Sequence, residues 1–110
     1  MIRVLLADDH SIVRQGVRSL LEEQADILVV GDCEDGAQAM ALVQRLRPDV
    51  LVADLMMPGL VGLDLIGRVR QSSPRTQVVV LSMHANVGYV AESLRRGAVG
   101  SRDGFAFAGP

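Results

Sequence analysis

Apolar residues in this chain follow two rhythms. Short runs rich in Val, Ile and Leu occur at Ile2–Ala7, Ile27–Gly31, Val50–Ala53 and Gln77–Leu81. Between them, apolar positions recur every three to four residues. Ser11–Glu23 places Ile12, Val13, Val17, Leu20 and Leu21 on one helical face. Asp35 can cap a second helix, with Gln38 completing a capping box, and that helix should stop at about Leu46, before Pro48. A third is expected near Leu63–Ser72, between the loop "MMPGLVG" and Pro74. Asn86 can start a fourth, with Gly97 as its glycine stop. The order β-α-β-α-β-α-β-α, with strands too uniformly apolar to have a wet face, predicts a parallel sheet covered by helices on both sides. Right-handed crossovers then bring all strand C-terminal ends to one edge, where such folds bind ligands at a topological switch point.

The acids gain meaning from that edge. Asp8 and Asp9 end the first strand, and Asp54 ends the third. With both strands central, three carboxylates converge, and like charges at close range raise one another's pKa. A divalent cation reverses that logic. A few hard oxygen donors with room for waters suit Mg²⁺, or Mn²⁺, better than Zn²⁺. Ser82 ends the fourth strand and brings a hydroxyl to the same edge. A carboxylate nucleophile, a metal site and a hydroxyl donor together point to phosphoryl transfer onto an aspartate. The plainer alternative is that Asp8 and Asp9 merely start the first helix as its N-cap.

Composition narrows the field. The 110 residues are 49% hydrophobic and 22% charged, enough for one ordinary domain with a single core. A net charge of −2 offers no basic stripe for nucleic acid or an anionic membrane. No apolar run approaches the roughly 18 residues of a spanning helix. The chain opens directly on a strand-like run without a signal-peptide pattern, and its single Cys33 cannot form an internal disulfide, so a cytoplasmic location is expected. Cys33, at a strand end, reads as an unreactive small residue. His84 and His10 read as loop histidines, the latter beside the acids and shaping their pocket. Met56, Met57 and Met83 read as packing residues, and Arg95–Arg96 as a solvated helix end.

The stretches "VLLADDHSIVRQGVRSLL", "PDVLVADLMMPGLVGLDLI" and "VVVLSMH" resemble the receiver domain of bacterial two-component response regulators, over about residues 1–100. The "DDH…VRQGV" start and "LSMH" are most similar to the NarL/FixJ (LuxR-type) subfamily, whose full-length members carry a C-terminal helix-turn-helix domain. The resemblance implies a flavodoxin-like (CheY-like) fold with strand order 2-1-3-4-5. It implies that Asp54 accepts a phosphoryl group from a histidine of a sensor histidine kinase. Asp8, Asp9, Asp54 and the backbone carbonyl of Met56 would hold Mg²⁺, and Ser82 would bind the phosphoryl oxygen and swing inward on activation. Pro58 and Gly59 match the tight turn after the acceptor. The domain would be a switch, not an enzyme, and would itself touch neither membrane nor nucleic acid.

Residues 101–110, "SRDGFAFAGP", depart from the pattern. Ser101 stands at the family's aromatic position and Gly104 at its lysine position, and all 11 basic residues are Arg. The fifth strand is therefore doubtful, and the fifth helix is missing. Arg102 stands two positions early and does not inherit the lysine's role. The gap would be left by a truncated or altered end, closed by the tail with Phe105 and Phe107, or covered by a second copy. The favoured expectation combines an altered end with a homodimer or swapped oligomer. Other functions stand as alternatives: an aspartate-nucleophile Mg²⁺ phosphohydrolase, a degenerate receiver serving only as an interaction module, and a nucleotide or flavin binder. The phosphohydrolase would need an Asp-x-Asp pair, a cap and a lysine. A nucleotide binder would be expected to show GxGxxG or GxxxxGK[ST], and both are absent.

Overall fold

The computed structural model describes residues 1–54, 62–81 and 105–108. Its elements are β1 (Ile2–Ala7), α1 (Ser11–Glu22), β2 (Ile27–Cys33), α2 (Gly36–Leu46), β3 (Val50–Asp54), α3 (Gly62–Ser72), β4 (Gln77–Leu81) and β5 (Phe105–Ala108). The strands form one parallel sheet in the order β2-β1-β3-β4-β5, the expected flavodoxin-like arrangement. The chain leaves β1 for the edge strand β2 and then returns past β1 to lay down β3. The switch point therefore falls between β1 and β3.

One expectation is corrected here. The fifth strand, doubtful from sequence, is present: Phe105–Ala108 pairs with β4 in the register Val78↔Phe105 to Leu81↔Ala108. It forms from the tail, beyond Ser101 and Gly104, the positions to which a direct count assigned the family's aromatic residue and lysine. The helix expected from Asn86 to Gly97 lies outside the described residues.

Alternation along the strands fills two cores. Val4 and Leu6, with Ile27, Val29, Val50, Val52 and Val79, pack on the face that carries Leu21 of α1. Leu5 and Ala7, with Leu51, Ala53, Val78 and Val80, pack on the other face against Ala39 and Val43 of α2 and Leu65, Ile66 and Val69 of α3. Period-two side chains apolar on both faces are what a sheet clothed on both sides requires.

The apolar face assigned to α1 is only partly used. Leu21 is fully buried, whereas Ile12 is 85% exposed and Val13 50%. The helix meets the sheet through Val17 and Leu21, one turn apart. Ile12 lies about 140° around the axis from Val17, so it could not share that contact. Helix α2 starts as expected: the Asp35 carboxylate accepts the Gln38 N–H at 2.8 Å. Gln38 Oε1 reaches one residue further back than the motif predicts and accepts the Glu34 N–H at 3.2 Å. The helix stops on Arg47, in the left-handed region with φ 47°, immediately before Pro48.

Strand β2 carries a bulge. Val4 pairs with Val29, but Leu5 pairs with Gly31, leaving Val30 as an extra residue. The extra residue reverses the facing of everything after it. Ile27 and Val29 belong to the α1-side core, whereas Cys33, of the same parity, belongs to the α2-side core. Asp32 is thereby paired with Leu6, on the side of α1. At Gly31 a Cβ would meet Leu5 Cδ1 at 3.4 Å and Leu46 Cδ1 of α2 at 3.5 Å, ordinary van der Waals distances.

Candidate functional site

Three acids meet at the carboxyl edge of the two central strands. The backbone of Asp8 extends the β1–β2 ladder by one bond, its N–H donating to the Cys33 carbonyl at 3.0 Å. Asp54 is the last residue of β3, with its side chain 15% exposed. Asp8, Asp9, His10 and Asp54 each offer a donor atom, and these atoms all lie within 4.8 Å of one another. Nδ1 of His10 stands 3.0 Å from Asp9 Oδ1, 3.4 Å from Asp8 Oδ1 and 3.7 Å from Asp54 Oδ2.

The helix-cap alternative does not describe these acids. The N-cap of α1 is His10, which makes no side-chain cap bond, and no acid stands in the first turn. The Asp8 carboxylate instead accepts the His10 N–H at 2.8 Å, which folds the chain sharply at the strand end.

Electrostatics at this edge are adverse without a cation. Asp8 is only 2% exposed. Burial raises its pKa first, and the neighbouring Asp54 carboxylate adds to the rise, against the lowering hydrogen bond from His10. The His10 imidazole is pushed up, chiefly by Asp9. A buried carboxylate beside two more acids fits a hard divalent cation, whose charge would offset both the burial and the repulsion. Asp8→Asn is accordingly expected to raise the melting temperature of the metal-free protein at neutral pH. Because the folded-state pKa of Asp8 is raised, folding favours the protonated form. The stability linked to Asp8 is present in acid and lost as pH rises through that raised value. Melts of both proteins across the pH range test this: the two should converge in acid, and a variant less stable at neutral pH would contradict it.

Sequence reading missed the residues that hold this loop. Arg14 Nη1 donates to the Asp8 carbonyl at 2.7 Å, and its Nε lies 3.5 Å from Asp32 Oδ1. Arg18 bonds the second Asp32 oxygen and, through Nε, Glu22 at 2.6 Å. The usable signal was an arginine on the first turn of α1, six residues after Asp8. Its acidic partner was hidden, because simple alternation along β2 puts Asp32 on the wrong face. Cys33, read from the sequence as an unreactive small residue, is buried, and burial pushes its thiol up to about 11. Iodoacetamide should leave Cys33 unmodified in the folded protein at neutral pH and alkylate it readily in denaturant; mass spectrometry reads the difference.

Met56, Met57, Pro58, Gly59, Ser82, Met83, His84 and Arg95–Arg96 lie outside the described residues. The structure therefore brings together Asp8, Asp9 and Asp54 of the predicted set, with His10 beside the acids as read from the sequence.

Residues 4–101 match the response regulator receiver domain family. The chain is 39% identical over 97 residues to the nitrate/nitrite response regulator NarL of Escherichia coli K12, covering 88% of this chain and 45% of that protein. The response regulator domain of Thermotoga maritima CheB superposes with a TM-score of 0.75 at 32% identity, over 99% of this chain and 78% of that one. RcsB from Salmonella enterica serovar Typhimurium, solved on promoter rprA with phosphomimetic BeF3⁻, superposes with a TM-score of 0.72 at 31% identity, over 97% and 86%. The chain spans a little under half the length of the curated relatives it matches.

Proposed function

The chain belongs to the response regulator receiver domain family, and on that premise we propose that it is a phosphoacceptor switch that takes a phosphoryl group on Asp54. Receiver domains act in two-component signalling as phosphorylation-regulated switches rather than enzymes, partner with sensor histidine kinases, and generally bind Mg²⁺ at an acidic pocket. The convergence of Asp8, Asp9 and Asp54 at the β1–β3 switch point carries the assignment.

A carboxylate oxygen of Asp54 attacks phosphorus in line with the leaving group. The new O–P bond forms as the donor's bond to phosphorus breaks, and the electron pair departs with the donor. The product is an acyl phosphate on Asp54. Asp8, Asp9, Asp54 and the Met56 carbonyl would hold Mg²⁺, which supplies charge neutralisation on the phosphoryl oxygens. The Ser82 hydroxyl donates to a phosphoryl oxygen and couples it to the surface. Arg14 keeps the Asp8 backbone fixed, so the acids are in place before the donor arrives.

The donor is a phosphohistidine of a sensor kinase. The output is transcription, exerted by a helix-turn-helix domain beyond these residues; relatives such as DegU and LiaR carry the name transcriptional regulatory protein. Dimerisation accompanies that output, as RcsB has been solved as dimers on DNA. Among the described residues no helix is long and apolar enough to cross a membrane; membership of a two-component signalling family supports work in the cytoplasm.

Incubation with acetyl phosphate and Mg²⁺ tests the reading. The expected product carries one phosphoryl group, is labile to hydroxylamine, and does not form in excess chelator. Absence of the adduct would refute the acceptor assignment. Sustained release of phosphate from a phosphate monoester would identify a phosphohydrolase instead.

A further inference from the structure

The peptide groups that set the direction of Asp8 are both tied to the last two residues of β2. The Asp8 N–H donates to the Cys33 carbonyl at 3.0 Å. The Asp8 carbonyl accepts Arg14 Nη1 at 2.7 Å, and the same guanidinium sets its Nε 3.5 Å from Asp32 Oδ1. Cys33 and Asp32 thus grip the Asp8 backbone from both sides, one through its own carbonyl and one through the Arg14 side chain. The remaining tie, from the His10 N–H to the Asp8 carboxylate, lies inside the turn itself.

An arginine makes this link possible. Its guanidinium carries donors on Nε and Nη in one rigid plane, so one side chain can hold a carbonyl and a carboxylate together. The Arg14 side chain is 17% exposed and that of Asp32 31%, so water screens the pair less than it screens a surface ion pair. Arg14 lies one helical turn past His10, its N–H donating to the His10 carbonyl, so the cation that steadies the turn is carried by the helix the turn starts. We propose that Asp32 is a positioning residue for phosphoryl transfer, acting through Arg14 on the peptide of Asp8. It stands on β2, two strands across the sheet from the acceptor Asp54 on β3, and fixes where the Asp8 carboxylate sits before the donor arrives. The inference rests on the phosphoacceptor reading and adds Asp32, which that reading does not use. The competing role for Asp32 is a plain clip that holds α1 against β2. Arg18 supplies the control, because it reaches the other Asp32 oxygen from the same helix while its remaining bond goes to Glu22.

Two measurements on the full chain separate these roles: amide exchange followed by NMR without metal, and the Mg²⁺ dependence of labelling by acetyl phosphate. Asp32→Ala should speed exchange of the Asp8 and His10 amides by about tenfold. It should also raise the Mg²⁺ concentration for half-maximal labelling by about three- to tenfold, with a smaller change in the maximal rate. Asp32→Asn, which keeps the shape and loses the charge, should shift both readouts in the same direction. Arg14→Lys keeps the charge but not the fork and should match Asp32→Ala; adding Asp32→Ala to it should bring less than about a twofold further change. Arg18→Ala removes an ion pair to the same carboxylate and should leave the turn amides and the Mg²⁺ midpoint within about twofold of the wild type. Circular dichroism should show the variants folded. Equal effects of Asp32→Ala and Arg18→Ala on both readouts, or no effect of Asp32→Ala and Asp32→Asn, would overturn the positioning role and leave the acceptor assignment standing. A wild type that takes no phosphoryl group at any Mg²⁺ concentration would overturn both.

Discussion

Asp54→Asn is expected to reduce phosphoryl labelling by acetyl phosphate to background, a loss of about a thousandfold or more. The amide has the size and shape of the carboxylate but no anionic oxygen to attack phosphorus. A failure to fold would not explain the loss, because Asp54 ends its strand at the sheet edge and is not part of either apolar core. Removing its charge also lessens the repulsion on buried Asp8. The variant should therefore melt no lower than the wild type while failing to form the adduct. Asp9→Asn provides the contrast: it weakens the acidic pocket but spares the nucleophile, so slow labelling should survive at high Mg²⁺. Intact-protein mass spectrometry reads both. Wild-type labelling of Asp54→Asn would remove Asp54 from its role.

Leu51→Ala should cost roughly 3 kcal/mol, with a fall in melting temperature of roughly 10–20 °C. Leu51 is fully buried in the central strand, paired with Leu5 on one side and Val78 on the other. It belongs to the core that receives α2 and α3, where Val43, Leu65 and Val69 are likewise almost completely buried. A side chain clamped between two strands and two helices leaves a cavity that its neighbours cannot close without moving β3. Against a total stability of about 5–15 kcal/mol for a domain of this kind, the loss is large. Leu28, 46% exposed on the edge strand, is the matched control and should change by less than about 1 kcal/mol. Urea unfolding of the two variants makes the comparison; similar losses in both would mean that the assigned core is not where the chain is held together.

The sheet was legible because its strands are short, apolar on both faces and separated by clear stops: Asp35 capped α2, Pro48 ended it, and Gln77–Leu81 kept its predicted bounds. The three acids were legible for a related reason. Strand ends in a parallel sheet share one edge, so their meeting follows from topology without knowledge of any contact. Three things escaped. Ile12 fits the apolar pattern of α1, yet periodicity does not say which part of a helix reaches the sheet. The fifth strand escaped because family spacing was counted rigidly across a tail that does not keep it. Asp32 escaped because a bulge cannot be seen in alternation alone; Val29, Val30 and Gly31 read equally well as an unbroken strand.

That inserted Val30 has a consequence well beyond local geometry. The salt link from Asp32 to Arg14, and through Arg14 to the turn at Asp8, exists only because β2 has gained one residue relative to β1. Deleting a single residue there would alter none of the acids. It would rotate the end of the strand by half a pleat, aim Asp32 at α2, and leave Arg14 without its anchor. The reach of β2, counted in residues, is in that sense a component of the pocket, and a one-residue gap could silence the switch as surely as a lost carboxylate.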